Sequence, residues 1–256
     1  MTVRAALRMG AAALEAAGVP DARHDAGALL AHVLDVERLA LLLSGDDTLP
    51  EATIQRYQQL IDRRAAREPL QYIVGHQEFM GLTLAVKPGV LIPREDTAVV
   101  VEQAIARLPD GGAMLDVGTG SGAIAIAVKH KRPDASMDAV DIAPEAVALA
   151  RKNAQACGVA IDIVQGDLFS PFAGRRFDVI VSNPPYIPAS ELPKLQSEVQ
   201  REPMLALDGG EDGLAFYRRL LSEAPQHLVP DGSVVLELGD GLSGHVKLLA
   251  QQDFCD

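Results

Sequence analysis

Ala113-Met114-Leu115-Asp116-Val117-Gly118-Thr119-Gly120-Ser121-Gly122 is the stretch that decides the fold. An apolar run fit for a buried strand meets three closely spaced glycines, and a helical pattern follows over 121–131. Glycine lets the backbone turn tightly and approach a ligand that a Cβ would repel. Gly118, Gly120 and Ala123 satisfy the spacing of a dinucleotide-binding turn, while the Gly-Lys-Ser/Thr of a phosphate loop is missing. The segment predicts a strand, a ligand-facing turn and a helix.

Downstream, strands are expected at Ser136–Asp141, 160–164, Phe177–Ser182 and 233–238. Helices are expected near 144–156, 213–228 and 241–251, with another over 95–107 ahead of the glycine turn. Such alternation predicts an α/β fold, a doubly wound and mostly parallel sheet covered on both faces. Residues 1–70 read as a small helical bundle: Leu29, Leu30, Val33 and Leu34 recur at helical spacing, and Pro20-Asp21 and Pro50-Glu51 open helices. The Arg63, Arg64 and Arg67 cluster reads as a solvated helix face. From Gln71, Tyr72-Ile73-Val74 and then residues 78–86 look extended, with Gly75, Gly81 and Gly89 at turns. This gives three parts: a helical domain over 1–70, a β-hairpin connector over 71–93, and an α/β domain over 94–256.

Acidic residues stand at three successive strand ends. Asp116 precedes the first glycine by two positions, where a carboxylate suits a ligand ammonium, met directly or through water. Asp141 ends the next strand, 19 residues past Gly122, at the position from which a carboxylate binds ribose hydroxyls. Asp167, in Gly166-Asp167-Leu168-Phe169, follows the third strand, where a nucleoside base would lie. Each alone reads equally well as a helix cap or turn residue. Together they suit a cofactor with an amine, a ribose and an adenine, and S-adenosylmethionine has all three.

Asn183-Pro184-Pro185-Tyr186 leaves an apolar strand. Two prolines fix φ and cannot extend a ladder, so the exit is rigid. The Asn183 side-chain oxygen and the Pro184 carbonyl are both acceptors, enough to hold the two hydrogens of a planar –NH2 group. The Tyr186 ring offers a surface for the amide or base carrying that nitrogen. Such a nitrogen is a poor nucleophile because its lone pair is delocalised, and orientation is what a protein can supply.

These segments, with others, carry a family resemblance. Arg67-Glu68-Pro69-Leu70-Gln71-Tyr72-Ile73-Val74-Gly75, Phe79, Leu91-Ile92-Pro93-Arg94-Glu95-Asp96-Thr97, Glu202-Pro203 and Ala206-Leu207-Asp208-Gly209-Gly210, with Asp212-Gly213-Leu214, resemble the protein-(glutamine-N5) methyltransferases of peptide chain release factors, the PrmC/HemK family. The resemblance implies a Rossmann-like class I methyltransferase sheet, S-adenosylmethionine as methyl donor (S-adenosylhomocysteine as product) and methylation of the Gly-Gly-Gln glutamine of class I release factors. It makes the helical bundle a substrate-recognition domain. It also assigns cofactor contacts to Gly118, Thr119, Gly120, Ser121, Gly122, Asp141, Asp167, Leu168 and Asn183, and places the substrate glutamine against Asn183-Pro184-Pro185-Tyr186. The family's Pro-Arg-Pro-(Glu/Asp)-Thr-Glu segment reads Pro93-Arg94-Glu95-Asp96-Thr97-Ala98 here, and Leu168 makes any adenine contact aliphatic. After Leu238 too little sequence remains for the antiparallel strand pair usual in this sheet, so a longer natural chain is expected.

Composition bounds the remaining readings. The 256-residue chain is 48% hydrophobic and 23% charged with a formal net charge of −12. That is a globular profile whose acidity argues against a phosphate-neutralising surface. A nucleic-acid amino-methyltransferase acting on a flipped base is therefore the second reading. A non-catalytic adenosine sensor or NAD enzyme would leave Asn183-Pro184-Pro185-Tyr186 without a task. Two cysteines, Cys157 and Cys255, make no disulfide framework, no apolar run is long enough for a membrane span, and the six histidines are scattered without metal-ligand spacing. A cytoplasmic monomer without metal, direct nucleic-acid contact or membrane contact is expected.

Overall fold

The computed structural model describes residues 1–254; Cys255 lies outside them. Contacts divide the chain into two units, Met1–Gly75 with Ser197–Arg201, and His76–Gln196 with Glu202 onward.

The first unit is helical: α1 (Val3–Ala16), α2 (Ala22–Leu34), α3 (Ala40–Leu43), α4 (Glu51–Ala65) and α5 (Leu70–Val74). Its core gathers Leu14, Leu29, Leu30, Tyr57 and Ile61, all essentially inaccessible. Tyr57 gives its O–H to the Ala26 carbonyl at 3.1 Å, which satisfies the one polar atom it buries.

Two expectations change here. Tyr72-Ile73-Val74 is helical within α5, not extended, so the bundle runs to Gly75. Pro69 stands at the helix start and Gly75 (φ 84°) at its end, and this punctuation outweighs the β-propensity of a short apolar run. Within the arginine cluster Arg63 is exposed as expected, but Arg64 and Arg67 are not part of a solvated face. Arg64 is buried and donates to Asp25 Oδ2 at 2.7 Å and Glu198 Oε1 at 2.8 Å, and Arg67 grips both oxygens of Glu198 at 2.7 Å. Burial alone would raise the Glu198 pKa, but its hydrogen bonds to Arg67 and Arg64 outweigh that and hold it at about 2.

The second unit begins with a hairpin, β1 (His76–Phe79) and β2 (Leu82–Ala85). Its two-residue turn has positive φ at both Met80 and Gly81, which matches the twist of the flanking strands. There follow α6 (Thr97–Arg107), β3 (Ala113–Val117), α7 (Ala123–Lys131), β4 (Ser136–Asp141), α8 (Pro144–Ala156), β5 (Asp162–Gln165), β6 (Phe177–Ser182), α9 (Ala215–Glu223), β7 (Leu228–Leu236) and α10 (Ser243–Asp253). The five strands β3 to β7 form one parallel sheet in the order β5-β4-β3-β6-β7. Apolar residues fill both its faces. This is the Rossmann-like, doubly wound arrangement expected from the alternation.

β7 starts earlier than expected because Val229-Pro230-Asp231-Gly232 bulges. The register jumps from Phe177↔Leu228 to Val179↔Ser233, and Asp231 takes φ 63°. Proline inside a strand is tolerated at such a bulge, and its Pro-Asp-Gly sequence mimics a turn. The chain order reverses between β3 and β6, so a crevice opens beyond their carboxyl ends. Ser182 closes the seam there, giving its hydroxyl proton to the Val117 carbonyl at 2.6 Å.

Candidate active site

A cavity of about 300 Å³ lies at that reversal point. Gly118 to Ser121 line it from the β3–α7 turn, Asp141 and Ile142 from the end of β4, Gly166 to Leu168 from the end of β5, and Asn183 and Pro185 from the end of β6. Residues 93–94, Thr97, Pro203 and Leu205 contribute further walls. The volume and mixed lining suit a small organic ligand.

The glycine turn is held from two sides. The N–H groups of Gly118 and Thr119 both donate to the Val140 carbonyl, at 2.9 and 3.0 Å. Gly118 has φ 74°, and a Cβ there would meet nothing within 4 Å, so backbone conformation alone selects glycine. Gly122 is different: with φ 85°, its Cβ would stand 2.9 Å from Ile126 and 3.2 Å from the Ala150 methyl, so close packing of α7 on α8 also demands glycine.

Asp116 lies beneath this turn and is wholly buried, not part of the cavity wall. Its Oδ2 accepts from the Thr119 hydroxyl at 2.6 Å and the Ala125 N–H at 3.2 Å, while Oδ1 has no partner among the described residues. Burial pushes its pKa up to about 7 against the pull of those two donors. Of the two contacts expected with a ligand ammonium, direct or through water, burial in the sheet interior removes the direct one, and the partners observed make Asp116 a brace for the loop.

Asp141 does face the cavity. Its Oδ2 accepts from Gly120 N–H at 2.8 Å and its Oδ1 from Ala143 N–H at 2.9 Å, so the carboxylate joins the glycine turn to the start of α8. Burial raises its pKa despite these bonds. Each oxygen keeps acceptor capacity toward the cavity, as paired hydroxyls require. Asp167 pairs with Arg219, another lining residue, at 2.8 Å. Leu168, with φ 49°, turns an aliphatic side chain into the lining, and Ile142 is 48% exposed there. Two apolar walls flank acidic acceptors, and the open space above Gly118 admits close approach. The donor set fits S-adenosylmethionine.

Asn183 enters from the end of β6. Its Nδ2 donates to Thr97 Oγ1 at 3.2 Å, and Thr97 donates its own proton to Glu237 Oε2 at 2.7 Å. Burial raises the Glu237 carboxyl pKa; the Thr97 hydroxyl opposes the rise, Asp96 adds to it, and a hydrogen bond from the Asn183 side chain opposes it too. Pro185 lines the cavity, and Pro184, between it and Asn183 in the chain, is buried.

Tyr186 is half-buried outside the lining, not facing into it. A Cβ on Gly239 would stand 2.7 Å from its ring, and one on Gly209 2.7 Å from its backbone, so the residue sits in a slot cut by glycines. The backbone of Gly239 therefore packs against the ring, and the surface expected for the substrate falls outside the cavity lining. Beyond it Ile187 exchanges hydrogen bonds with the Leu207–Gly209 segment (Ile187 N–H to Leu207 O at 3.0 Å, Gly209 N–H to Ile187 O at 2.9 Å). The Leu207-Asp208-Gly209-Gly210 segment thus fixes the chain leaving the two prolines.

Sequence reasoning missed Thr97, Glu237, Arg219 and the Arg94–Glu202 pair. Glu237 could have been found as a lone acid closing a strand, since it directly follows Leu236 of β7. Thr97 stands in the Leu91–Thr97 segment of the resemblance, but nothing in its spacing points to Asn183. Among the described residues no helix is long and apolar enough to cross a membrane, and no three His, Cys, Asp or Glu side chains gather as a metal site.

Residues 5–75 match the PrmC N-terminal domain family and residues 95–200 the methyltransferase small domain family. The chain is 45% identical to the release factor glutamine methyltransferase of Geobacter sulfurreducens, covering 100% of this chain and 90% of that protein. It is 46% identical to the one from Moorella thermoacetica over 98% of this chain and 90% of the relative. For the Escherichia coli protein the figures are 42%, 91% and 84%. A crystal structure of a methyltransferase from Pyrococcus furiosus superposes with a TM-score of 0.53 at 24% identity, covering 77% of this chain and 86% of the other, and supports the fold.

Proposed function

The chain belongs to the release factor glutamine methyltransferase family, and we propose from that premise that it methylates the side-chain amide nitrogen of the Gly-Gly-Gln glutamine in peptide chain release factors. S-adenosylmethionine, when bound, supplies an electrophilic methyl group on a sulfonium. The chain's own residues do the rest. The 118–122 turn cradles the cofactor, Asp141 accepts its ribose hydroxyls, and Leu168 with Ile142 packs against its base beside Asp167. Asp116 holds the turn in shape from below.

The substrate amide is held at the end of β6. Asn183 Oδ1 and the Pro184 carbonyl accept its two hydrogens, which turns the nitrogen's remaining face toward the methyl donor. Pro185 keeps the wall rigid, and Tyr186 anchors the exit beside the substrate. No strong base is required before transfer, because the methylated nitrogen becomes acidic and loses its proton to water. The observation that carries this reading is Asn183: it lines the cavity shared with the glycine turn and Asp141, and its nitrogen is already committed to Thr97.

Net acidity and the family assignment favour a protein substrate over nucleic acid, with the helical unit recognising the release factor. A monomer working in the cytoplasm, without metal or membrane contact, completes the reading. Replacing Asn183 with alanine tests it. Calorimetry should show S-adenosylmethionine binding within a few-fold of wild type, while turnover falls by about 10²–10³-fold, the usual cost of one oriented hydrogen-bonding group. Wild-type turnover in that variant would overturn the assignment of Asn183.

A further inference from the structure

An asparagine amide can present either end to a cavity, and the two ends are nearly the same size, so only hydrogen bonds choose between them. The choice matters at Asn183. An outward oxygen accepts an N–H, whereas an outward –NH2 would confront a substrate amide with a second donor.

Here the choice is made by Glu237 and Thr97 together, because the Asn183 nitrogen meets both of them. Glu237, as a carboxylate, can only accept, and it takes the Thr97 hydroxyl proton at 2.7 Å. Thr97 Oγ1, its proton spent, can only accept from Asn183 Nδ2 at 3.2 Å. Asn183 Oδ1 is what remains for the cavity. Thr97 is 4% exposed, so water does not compete for the central link. Glu237 is itself fixed through its backbone, donating to the Ser182 carbonyl at 3.0 Å and accepting from the Tyr217 hydroxyl at 2.8 Å. The three side chains come from different elements, the start of α6 and the ends of β6 and β7, which only the tertiary fold brings together.

We propose that Thr97 and Glu237 are positioning residues that set the polarity of the Asn183 amide, so that the site accepts a glutamine –NH2 and rejects an isosteric glutamate carboxylate. The inference rests on the reading of Asn183 as the acceptor for the substrate amide. Discrimination follows from charge: a substrate carboxylate would place an oxygen against Asn183 Oδ1, with no proton between them.

The sequence makes a direct test convenient. The chain contains two asparagines, Asn153 and Asn183, so protein labelled with ¹⁵N-asparagine shows two side-chain NH2 pairs. Asn153, donating to the Ala85 and Ser121 carbonyls at 3.0 and 2.9 Å, serves as internal reference. In the unliganded wild type the Asn183 protons should be well separated in shift and slow to exchange with water. Thr97→Val, which keeps the shape and removes the hydroxyl, should narrow the separation and speed exchange while Asn153 stays put, with Glu237 the one acceptor left to the Asn183 nitrogen; Thr97→Ser should restore the wild-type signal. Glu237→Gln should move the Asn183 pair in the same direction as Thr97→Val.

In parallel, Thr97→Val should lower kcat on release factor by about 10–100-fold, the cost of a misplaced reacting group, with Thr97→Ser close to wild type. An Asn183 signal indifferent to both Thr97→Val and Glu237→Gln overturns the proposal, as does wild-type kcat in Thr97→Val. Failure of the wild-type enzyme to methylate the glutamine would instead overturn the parent reading, and the resonance result would still decide whether the relay exists.

Discussion

The Glu202 carboxylate accepts the backbone N–H of Ile92 at 3.0 Å across 110 positions of sequence, and its other oxygen takes the Arg94 guanidinium at 2.5 Å. Glu202 is 5% exposed, so this is a buried anchor. Two segments singled out in the sequence, Leu91-Ile92-Pro93-Arg94 and Glu202-Pro203, are therefore one structural device: they clamp two walls of the cavity to each other. Glu202→Ala would leave the Ile92 N–H and Arg94 without their acceptor, at about 1–3 kcal/mol. The expected result is a rise of roughly tenfold or more in the S-adenosylmethionine dissociation constant by calorimetry, with a smaller effect for Glu202→Gln, which keeps an acceptor for Ile92.

Asp141 should separate two duties. Asp141→Asn retains an oxygen for one of the Gly120 and Ala143 N–H groups but confronts the other with a donor, and it loses the charge that suits ribose hydroxyls. Cofactor affinity should fall by about 10–100-fold, in line with the loss of one or two hydrogen bonds to a charged group. Overall stability should drop less than in Asp141→Ala, which strands both backbone donors. Thermal melts with and without cofactor distinguish the two effects.

Gly122→Ala should damage folding more than binding. The methyl group would meet Ile126 at 2.9 Å and Ala150 at 3.2 Å at a φ of 85°. Overpacking and left-handed strain together should cost about 2–4 kcal/mol in urea denaturation. Gly118→Ala, which meets no atom, should cost about 1–2 kcal/mol from backbone strain alone.

The helical unit carries its own acid sensitivity. Because Arg67 and Arg64 hold the folded-state pKa of Glu198 at about 2, below its unfolded value, the pair stabilises fully above the unfolded pKa. That contribution fades as the pH falls through about 4 toward 2. Glu198→Gln should lower stability at pH 7 by about 1–3 kcal/mol, since Arg64 retains Asp25 and Arg67 retains the Gly18 carbonyl. The difference from wild type should vanish near pH 2, as followed by circular dichroism.

The sheet was legible because its signals are local. Strands β3, β4 and β6 end on acids or on Asn-Pro-Pro where expected, and the glycine turn announces the crossover. The hairpin turn, by contrast, puts Met80 at positive φ, and α5 forms from residues with strand propensity between Pro69 and Gly75. Propensity yields to punctuation at such short elements. At the site, the cavity-facing Asp141, Asp167 and Asn183 were readable from strand ends. Asp116 and Tyr186 show that sequence carries no depth: a strand draws one under the turn, and glycines enclose the other outside the cavity lining. Thr97 and Glu237 join Asn183 only through tertiary packing, and no spacing rule connects residues 140 positions apart.

The most direct test of the central claim is a methyl-transfer assay with labelled S-adenosylmethionine, offering purified release factor beside tRNA and duplex DNA, followed by peptide mapping. A single methyl on the glutamine of the Gly-Gly-Gln motif, and no label in either nucleic acid, is the predicted result. Label in nucleic acid, or on a release-factor residue other than that glutamine, would contradict it.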